Sequence, residues 1–527
     1  MFFLPLLLIR LVAMPIYDSL SEEVEATADE INQIQAIHDA VNNNFVSGAT
    51  RNYEKRRFNL KQLKKLLTEN DELICASLKA DLNQSDPFPH LLDCIREVDY
   101  MISNLSSLMR PVSVTKHISL INFPAYAQIV PEPLGVILII GTWNYPFYAA
   151  LGPLAGALAA GNCAVIKPAS LSRNSSKVIS ELIKKYFDPS QVACIEGGKE
   201  VNVKLLELKW DHIMFTGSTG LAKSVMAAAA KHLTPVTLEL GGKNPVIITE
   251  SADLKLAARR IAWGKWANNA GQVCISPDHV FVHASVSDNF IKEVRSAISQ
   301  FFPGDVQSSP DYSRIISRGH TERIGKMIES DKKYIIHGGF IDAESKFISP
   351  TVMDFHSDWS SFTASACMSQ EIFGPILPLV RYDKIEQVEK FVLTATRNSQ
   401  PLAFYIFSGE SCSAIKNRWI DRSASGSVVV NDCSIHIVEE ALPFGGVGQS
   451  GMGSYHGKKT FDNFTHFKPV LWKSGWFDLS ARYPPSGGSW KRKILQFLFW
   501  LSLKNVTPVR IGMSLLVGVL IVRIIFA

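Results

Sequence analysis

The stretch Gly135-Val-Ile-Leu-Ile-Ile140, running on into Gly141-Thr-Trp-Asn-Tyr-Pro-Phe147, decides the fold. Its first half is uninterruptedly apolar, with no alternation of polar residues. A strand with one wet face alternates, and a strand covered on both faces does not, so this one reads as a buried strand of a parallel sheet. Parallel strands need a crossover connection, and the chain supplies one. An Ala/Leu/Gly-rich helical stretch follows Pro146, Gly161-Asn162 stops it, and Cys163–Lys167 forms a second apolar strand.

The same alternation continues outward. Val192–Ile195 reads as a strand, Val201–Leu208 as a helix, and His212–Phe215 as a strand ending in Thr216-Gly-Ser-Thr-Gly220. Helix Leu221–His232 and strand Val236–Leu240 follow. This pattern predicts a doubly wound α/β fold, in which ligands bind beyond the carboxyl ends of the strands. Asn144, Lys167 and the Gly217-Ser218 turn stand at such ends. A glycine turn opening a helix offers unpaired N–H groups to a phosphate, although this one is not a full G-x-G-x-x-G fingerprint.

Beyond Gly241-Gly-Lys-Asn-Pro245 come strand Val246–Ile248, a helix from Leu254 to about Asn268, strand Val280–Val282 and helix Val286–Phe302. Residues 303–350 read as looser. Strand Leu377–Arg381, helix Ile385–Thr396 and strands Ala403–Phe407 and Ser427–Asn431 complete a second alternating half. Upstream, residues 28–108 read as helices on the spacing of Ile31, Ile34, Ile37 and Val41, and 111–128 as a β-arm.

Composition excludes several classes. A net charge of +5 over 527 residues, with 20% charged and 46% hydrophobic residues, gives a large globular body. It gives no dense basic patch for nucleic acid. The eight cysteines are scattered without a C-x-x-C pair, so neither a metal site nor a disulfide framework is expected, and a reducing compartment fits. One cysteine stands apart, in Gly271-Gln-Val-Cys-Ile-Ser-Pro277. A thiolate is a strong nucleophile, yet a lone cysteine is more often inert core, so its meaning depends on residues elsewhere.

The two ends differ. Residues 1–27 form an apolar leader without a basic n-region or an evident cleavage site, a poor secretory signal; a short membrane-dipping segment and a start at Met14 both remain open. At the other end, Ile511–Val522 is uncharged and apolar, at the lower length limit for a spanning helix once the remaining residues to Ala527 are counted. Lys491, Arg492, Lys493, Lys504 and Arg510 crowd its upstream flank, as a cytosolic flank requires. The expectation is a C-terminal transmembrane anchor over 509–527, preceded by a basic, amphipathic linker over 476–508 that could lie along a membrane surface.

Together the landmarks Gly141-Thr-Trp-Asn144, Lys167-Pro168, Phe215-Thr-Gly-Ser218, Glu239-Leu-Gly-Gly-Lys243, Gly271-Gln-Val-Cys274, Glu371-Ile-Phe-Gly-Pro375 and Pro443-Phe-Gly-Gly446 resemble the aldehyde dehydrogenase superfamily, in its order. Ser276-Pro-Asp278, Ser450–Lys458 and the hydrophobic tail resemble its class-3 branch, especially the membrane-bound fatty aldehyde dehydrogenases of fungi. The resemblance implies an NAD(P)-binding Rossmann-type domain over 28–240, a catalytic α/β domain over 241–432, and a return to the cofactor domain with an oligomerisation strand over 433–475.

It further implies that Cys274 attacks the aldehyde, which asks for surroundings that hold it near thiolate. Asn144 and the Cys274 N–H would bind the oxyanion. Glu239, its pKa raised by burial, would activate the water that hydrolyses the thioester. Lys167 would bond the adenosine ribose, and Gly217, Ser218, Gly220 and Ala222 would form the pyrophosphate turn. Glu371 would hold the nicotinamide ribose, with Phe373 against the ring. Two positions depart from the family pattern. Ser170 replaces a glutamate that takes the ribose hydroxyls, which removes a repulsion against a 2′-phosphate and admits NADP beside NAD. Ala222 replaces a frequent glycine.

The expected activity is NAD(P)-dependent oxidation of medium- and long-chain aldehydes to acids, by a homodimer anchored in a membrane with its body in the cytosol. The endoplasmic reticulum is the expected membrane, with the mitochondrial outer membrane and peroxisome as alternatives. The same chemistry on aromatic or short-chain aldehydes, and a non-catalytic scaffold, are the competing readings.

Overall fold

The computed structural model describes residues 28–84, 88–115, 122, 124–484 and 489–503. The expected leader and the anchor over 509–527 lie outside the described residues. The chain divides into two compact units, one of Met1–Leu105 with Pro133–Phe464 and one of Ser106–Glu132 with Thr465–Ala527.

The first unit is built on two sheets. In the six-stranded sheet the order from edge to edge is Gly451–Met452, Val236–Glu239, His212–Thr216, Val136–Ile140, Cys163–Lys167 and Val192–Cys194. Every residue of Val136–Ile140 is buried, as an unbroken apolar strand demands. Both of its neighbours run parallel to it. The next two strands in the chain lie on one side of it and the two after those on the other, which makes a topological switch point and a crevice at the carboxyl ends. Gly141–Asn144 and Gly217-Ser218 leave the two strands that flank this crevice. Helix Pro146–Ala160 is buried along its whole length.

The seven-stranded sheet runs Ile335–His337, Thr351–Asp354, Ile376–Tyr382, His279–His283, Pro245–Ile248, Ala403–Phe407 and Ser427–Val430. Only its first pair is antiparallel. Phe281, Phe355, Phe362, Tyr382 and Trp419 pack its core. The two sheets meet in sequence at Glu239–Pro245, between a strand of each.

Three elements differ from expectation. Residues 303–350 are not loose: helix Arg318–Ser330 lies within them, its N–H of His320 donating to the Ser317 hydroxyl at 3.2 Å. Its apolar face is only Ile324, Met327 and Ile328, and Gly325 interrupts it. The helix expected from Leu254 to Asn268 is α-helical only to Ala262, then widens into a π-turn over Trp263–Ala267, an irregularity typical of functional sites. Helix Arg173–Tyr186, with Val178, Ile179, Leu182 and Ile183 inward, was not anticipated.

The second unit holds a three-stranded sheet of Val112–Ser113, Ala125–Pro133 and Thr465–Lys473, so the arm's longer strand lies later than expected. It also holds helix Ser489–Leu503. Among the described residues no helix is long and apolar enough to cross a membrane.

Candidate active site

The loop that carries Cys274 is set by backbone conformation. Asn269, Ala270 and Gly271 all have positive φ (53°, 49° and 77°), a costly run for the two side-chain-bearing residues. At Gly271 a Cβ would come within 2.3 Å of the Gly374 carbonyl oxygen, so glycine is required twice over. Gln272, fully buried, fixes the strained turn from below. Its amide N–H groups donate to the carbonyls of Asn269 (3.2 Å) and Arg314 (2.9 Å), and its oxygen accepts the Ile316 N–H at 3.0 Å. Past the cysteine, the Asn244 amide donates to the carbonyls of Cys274 and Ser276 at 2.8 and 2.9 Å, and Ser434 Oγ donates to that of Ile275 at 3.3 Å.

Asn144 is buried beside this loop, its Nδ2 donating to the Gln272 carbonyl at 2.9 Å, while its own carbonyl accepts from Asn269 at 3.1 Å. The residue reached from strand Val136–Ile140 is thus locked to the Cys274 loop.

Glu239 closes its strand. Its side chain is 2% exposed, and among the described residues neither carboxylate oxygen has a hydrogen-bond partner. Burial alone raises its pKa well above the usual carboxyl range. Cys274 is half-buried, and here the structure corrects an expectation. Burial, then the charges of Glu371 and Glu239, push its thiol far above the ordinary range, against two hydrogen bonds from backbone N–H groups. The surroundings oppose a resting thiolate. Tyr455 is buried and acted on by both Glu239 and Cys274, and Tyr145, acted on by Cys274, donates its hydroxyl to Asn268 at 2.6 Å. The sequence offered Tyr455 only as part of the Ser450–Lys458 stretch.

The Glu371 turn also reaches this region, its charge acting on Cys274. Its carboxylate accepts the Gly242 N–H and lies over Gly241, where a Cβ would meet Oε1 at 2.3 Å. Burial, with Asp278 adding, raises its pKa to about 7. Phe373 has φ 47° and meets Trp143 edge-on at 5.4 Å, which in turn meets His320 at 5.4 Å. Beneath, Asp278 accepts from Lys243, from the His279 ring (3.2 Å) and from the Ile372 N–H (3.0 Å), while Lys243 also donates to the carbonyls of Cys367 and Gln370. None of this clamp was anticipated, because its parts come from three separated segments.

The family model of the Aldehyde dehydrogenase family matches residues 13–470. The chain belongs to the aldehyde dehydrogenase family. It is 42% identical over 479 residues to aldehyde dehydrogenase family 3 member A2 of Rattus norvegicus, across 90% of this chain and 95% of that one. It is 39% identical over 447 residues to the "aldehyde dehydrogenase, dimeric NADP-preferring" of Canis lupus familiaris, across 84% and 95%. Among solved structures, the substrate-bound state of Staphylococcus aureus AldH superposes with a TM-score of 0.83 at 36% identity, covering 88% of this chain and 99% of that one. The dehydrogenase therefore belongs to the class-3 branch and oxidises aldehydes to carboxylic acids with NAD or NADP, which sets aside the scaffold reading.

The residues present fit such a cofactor. Helix Thr219–Ala230 opens on exposed Ser218, whose Oγ caps Leu221 N–H at 3.4 Å, and nothing lies within 4 Å of where a Cβ on Gly220 would stand. Gly220 thus leaves open space at the helix start, where a phosphate can approach the backbone. Ala222 is buried in the sheet's core, so its methyl is absorbed by packing. Lys167 is buried at its strand end, with Ser170 half-buried just beyond.

Proposed function

We propose that this dehydrogenase acts on medium- and long-chain aldehydes, with Cys274 as nucleophile and Glu239 as base. The observation that carries the roles is the pairing of an unpartnered buried carboxylate with a thiol on which its charge acts. Because the resting thiol is protonated, its proton leaves to solvent water as sulfur bonds to the aldehyde carbon, and Glu239, with no partner among the described residues, stays available as the base of the second half-reaction. The thiohemiacetal oxygen gains negative charge. The Cys274 N–H and the Asn144 amide N–H not given to Gln272 stabilise it, one such donor being worth ~3–4 kcal/mol.

NAD or NADP, when bound, supplies the hydride acceptor. We assign Lys167 to its adenosine ribose, Gly217, Ser218, Gly220 and Ala222 to the turn at its phosphates, Glu371 to the nicotinamide ribose and Phe373 to the ring. Ser170, with no charge to repel a 2′-phosphate, supports use of NADP. The acyl group left on Cys274 is then released by water, whose proton Glu239 takes and passes to the departing thiolate, restoring both groups. On this reading residues 28–240 and 433–475 bind cofactor and 241–432 carry the chemistry.

The substrate class rests on the tail. An anchor at 509–527 would hold the active site at the reservoir of aldehydes that partition into lipid, with the body in the cytosol and the endoplasmic reticulum as the membrane. The exposed strand Thr465–Lys473, bearing Phe467, Leu471 and Trp472, is the surface we assign to a homodimer. NAD(P)H absorbance with aldehydes from two to eighteen carbons tests the whole. Efficiency should climb with chain length and vanish in Cys274→Ser. A flat or inverted profile would transfer the assignment to short or aromatic aldehydes. Release of the full chain by alkaline carbonate would remove the anchor.

A further inference from the structure

Helix Ser489–Leu503 carries two unlike faces. Ile494, Leu495 and Leu498 are half-buried, while Arg492, Lys493, Gln496, Phe497, Phe499 and Trp500 are exposed. Trp490, Lys493, Phe497 and Trp500 follow one another at helical spacing on the outward side, and Phe497 stacks on Trp500 at 6.3 Å. Phe499 is 60% exposed, and Trp490 and Trp500 are each 50% exposed. Solvent is a poor home for four such rings on one short helix.

Charge and sequence position identify what covers them. The helix begins Ser-Trp-Lys-Arg-Lys and contains no acidic residue. Cations with aromatic rings on one face, and tryptophan near each end, match the interfacial zone of a lipid bilayer, where amphipathic rings sit at headgroup level and cations meet anionic lipid. A partner protein would answer three adjacent cations with carboxylates at one place, whereas the sequence continues within a few residues into the apolar run Ile511–Val522.

We infer that helix Ser489–Leu503 is an in-plane membrane foot that binds anionic lipid through Arg492 and Lys493 and seats Phe497, Phe499 and Trp500 among the headgroups. This rests on the membrane-anchored reading above but adds a second, lipid-selective contact. It holds the long axis of the helix parallel to the surface.

The test uses the full chain with Leu516→Glu and Leu520→Glu, which disables a spanning tail. Vesicle flotation is measured with phosphatidylcholine alone and with added phosphatidylserine. The tail-disabled chain should still float with phosphatidylserine vesicles and be released by salt. Adding Arg492→Glu and Lys493→Glu should weaken binding at least about tenfold, since each cation at an anionic surface is worth about fivefold. Phe499→Ser with Trp500→Ser should weaken binding to both vesicles, and all variants should oxidise a soluble short aldehyde at the parental rate. The inference falls if the tail-disabled chain binds neither vesicle, or if charge reversal leaves binding unchanged. It falls equally if the aromatic changes dissociate an oligomer without altering flotation, for then a second copy covers the face. Failure of the tail itself shows separately, as carbonate release of the unmodified chain.

Discussion

Glu239 and Asp278 are both interior carboxylates, 2% and 3% exposed, and their surroundings treat them oppositely. Burial is the only influence on Glu239, and it drives the pKa up. Burial also works against charge on Asp278, but Lys243, His279 and Lys265 outweigh it and hold that carboxyl well below the usual range. Its oxygens accept from Lys243, His279 and Ile372, whereas those of Glu239 accept from nothing described. Depth therefore says little about role. A buried acid with both oxygens partnered is architecture, and one left without a described partner is, on the proposed reading, the base.

The comparison breaks most visibly if the two are exchanged by mutation. Glu239→Gln should cut turnover by about a thousandfold, with thermal stability unchanged or higher, since an unpartnered buried acid is removed. Asp278→Asn should do the reverse. Lys243 loses its counter-ion, and urea unfolding should register a loss of about 3 kcal/mol, while the protein that remains folded keeps its nucleophile. A silent Asp278→Asn would undo the division.

Much of this was legible in the chain and some of it was not. The strand Val136–Ile140 and its crossover could be read because a buried parallel strand leaves an unbroken apolar run. Cys274, Glu239 and Asn144 could be read as motifs at strand ends and in a loop. The Asp278 clamp could not, since Lys243, Asp278, Cys367 and Ile372 meet only once the second sheet is assembled. Nor could Gln272's hold on Arg314 and Ile316, which joins two loops that share no periodic signal. Sequence also suggested a thiolate-friendly site, whereas folding brings two carboxylates to the thiol, a fact of assembly that no local spacing encodes.

Gln272 sharpens the contrast between partnered and unpartnered groups at a neutral residue. Gln272→Ala would orphan the buried Ile316 N–H and free the strained turn, so a stability loss of about 2 kcal/mol and a lower kcat are expected together, the first by calorimetry. The smallest effect is expected at Glu371. Its pKa of about 7 means that the carboxylate, charged above that pH, becomes protonated below it. The KM for cofactor should accordingly rise severalfold as pH falls from about 8 to about 6, and Glu371→Gln should flatten that dependence.

The central claim is that Cys274 takes the acyl group and Glu239 releases it. Intact-mass spectrometry of Glu239→Gln after mixing with NAD(P) and a long-chain aldehyde tests this directly. The account predicts a single acyl adduct that persists on Cys274 and is absent from Cys274→Ser. Turnover by Glu239→Gln at the parental rate, or an adduct on Cys274→Ser, would contradict it.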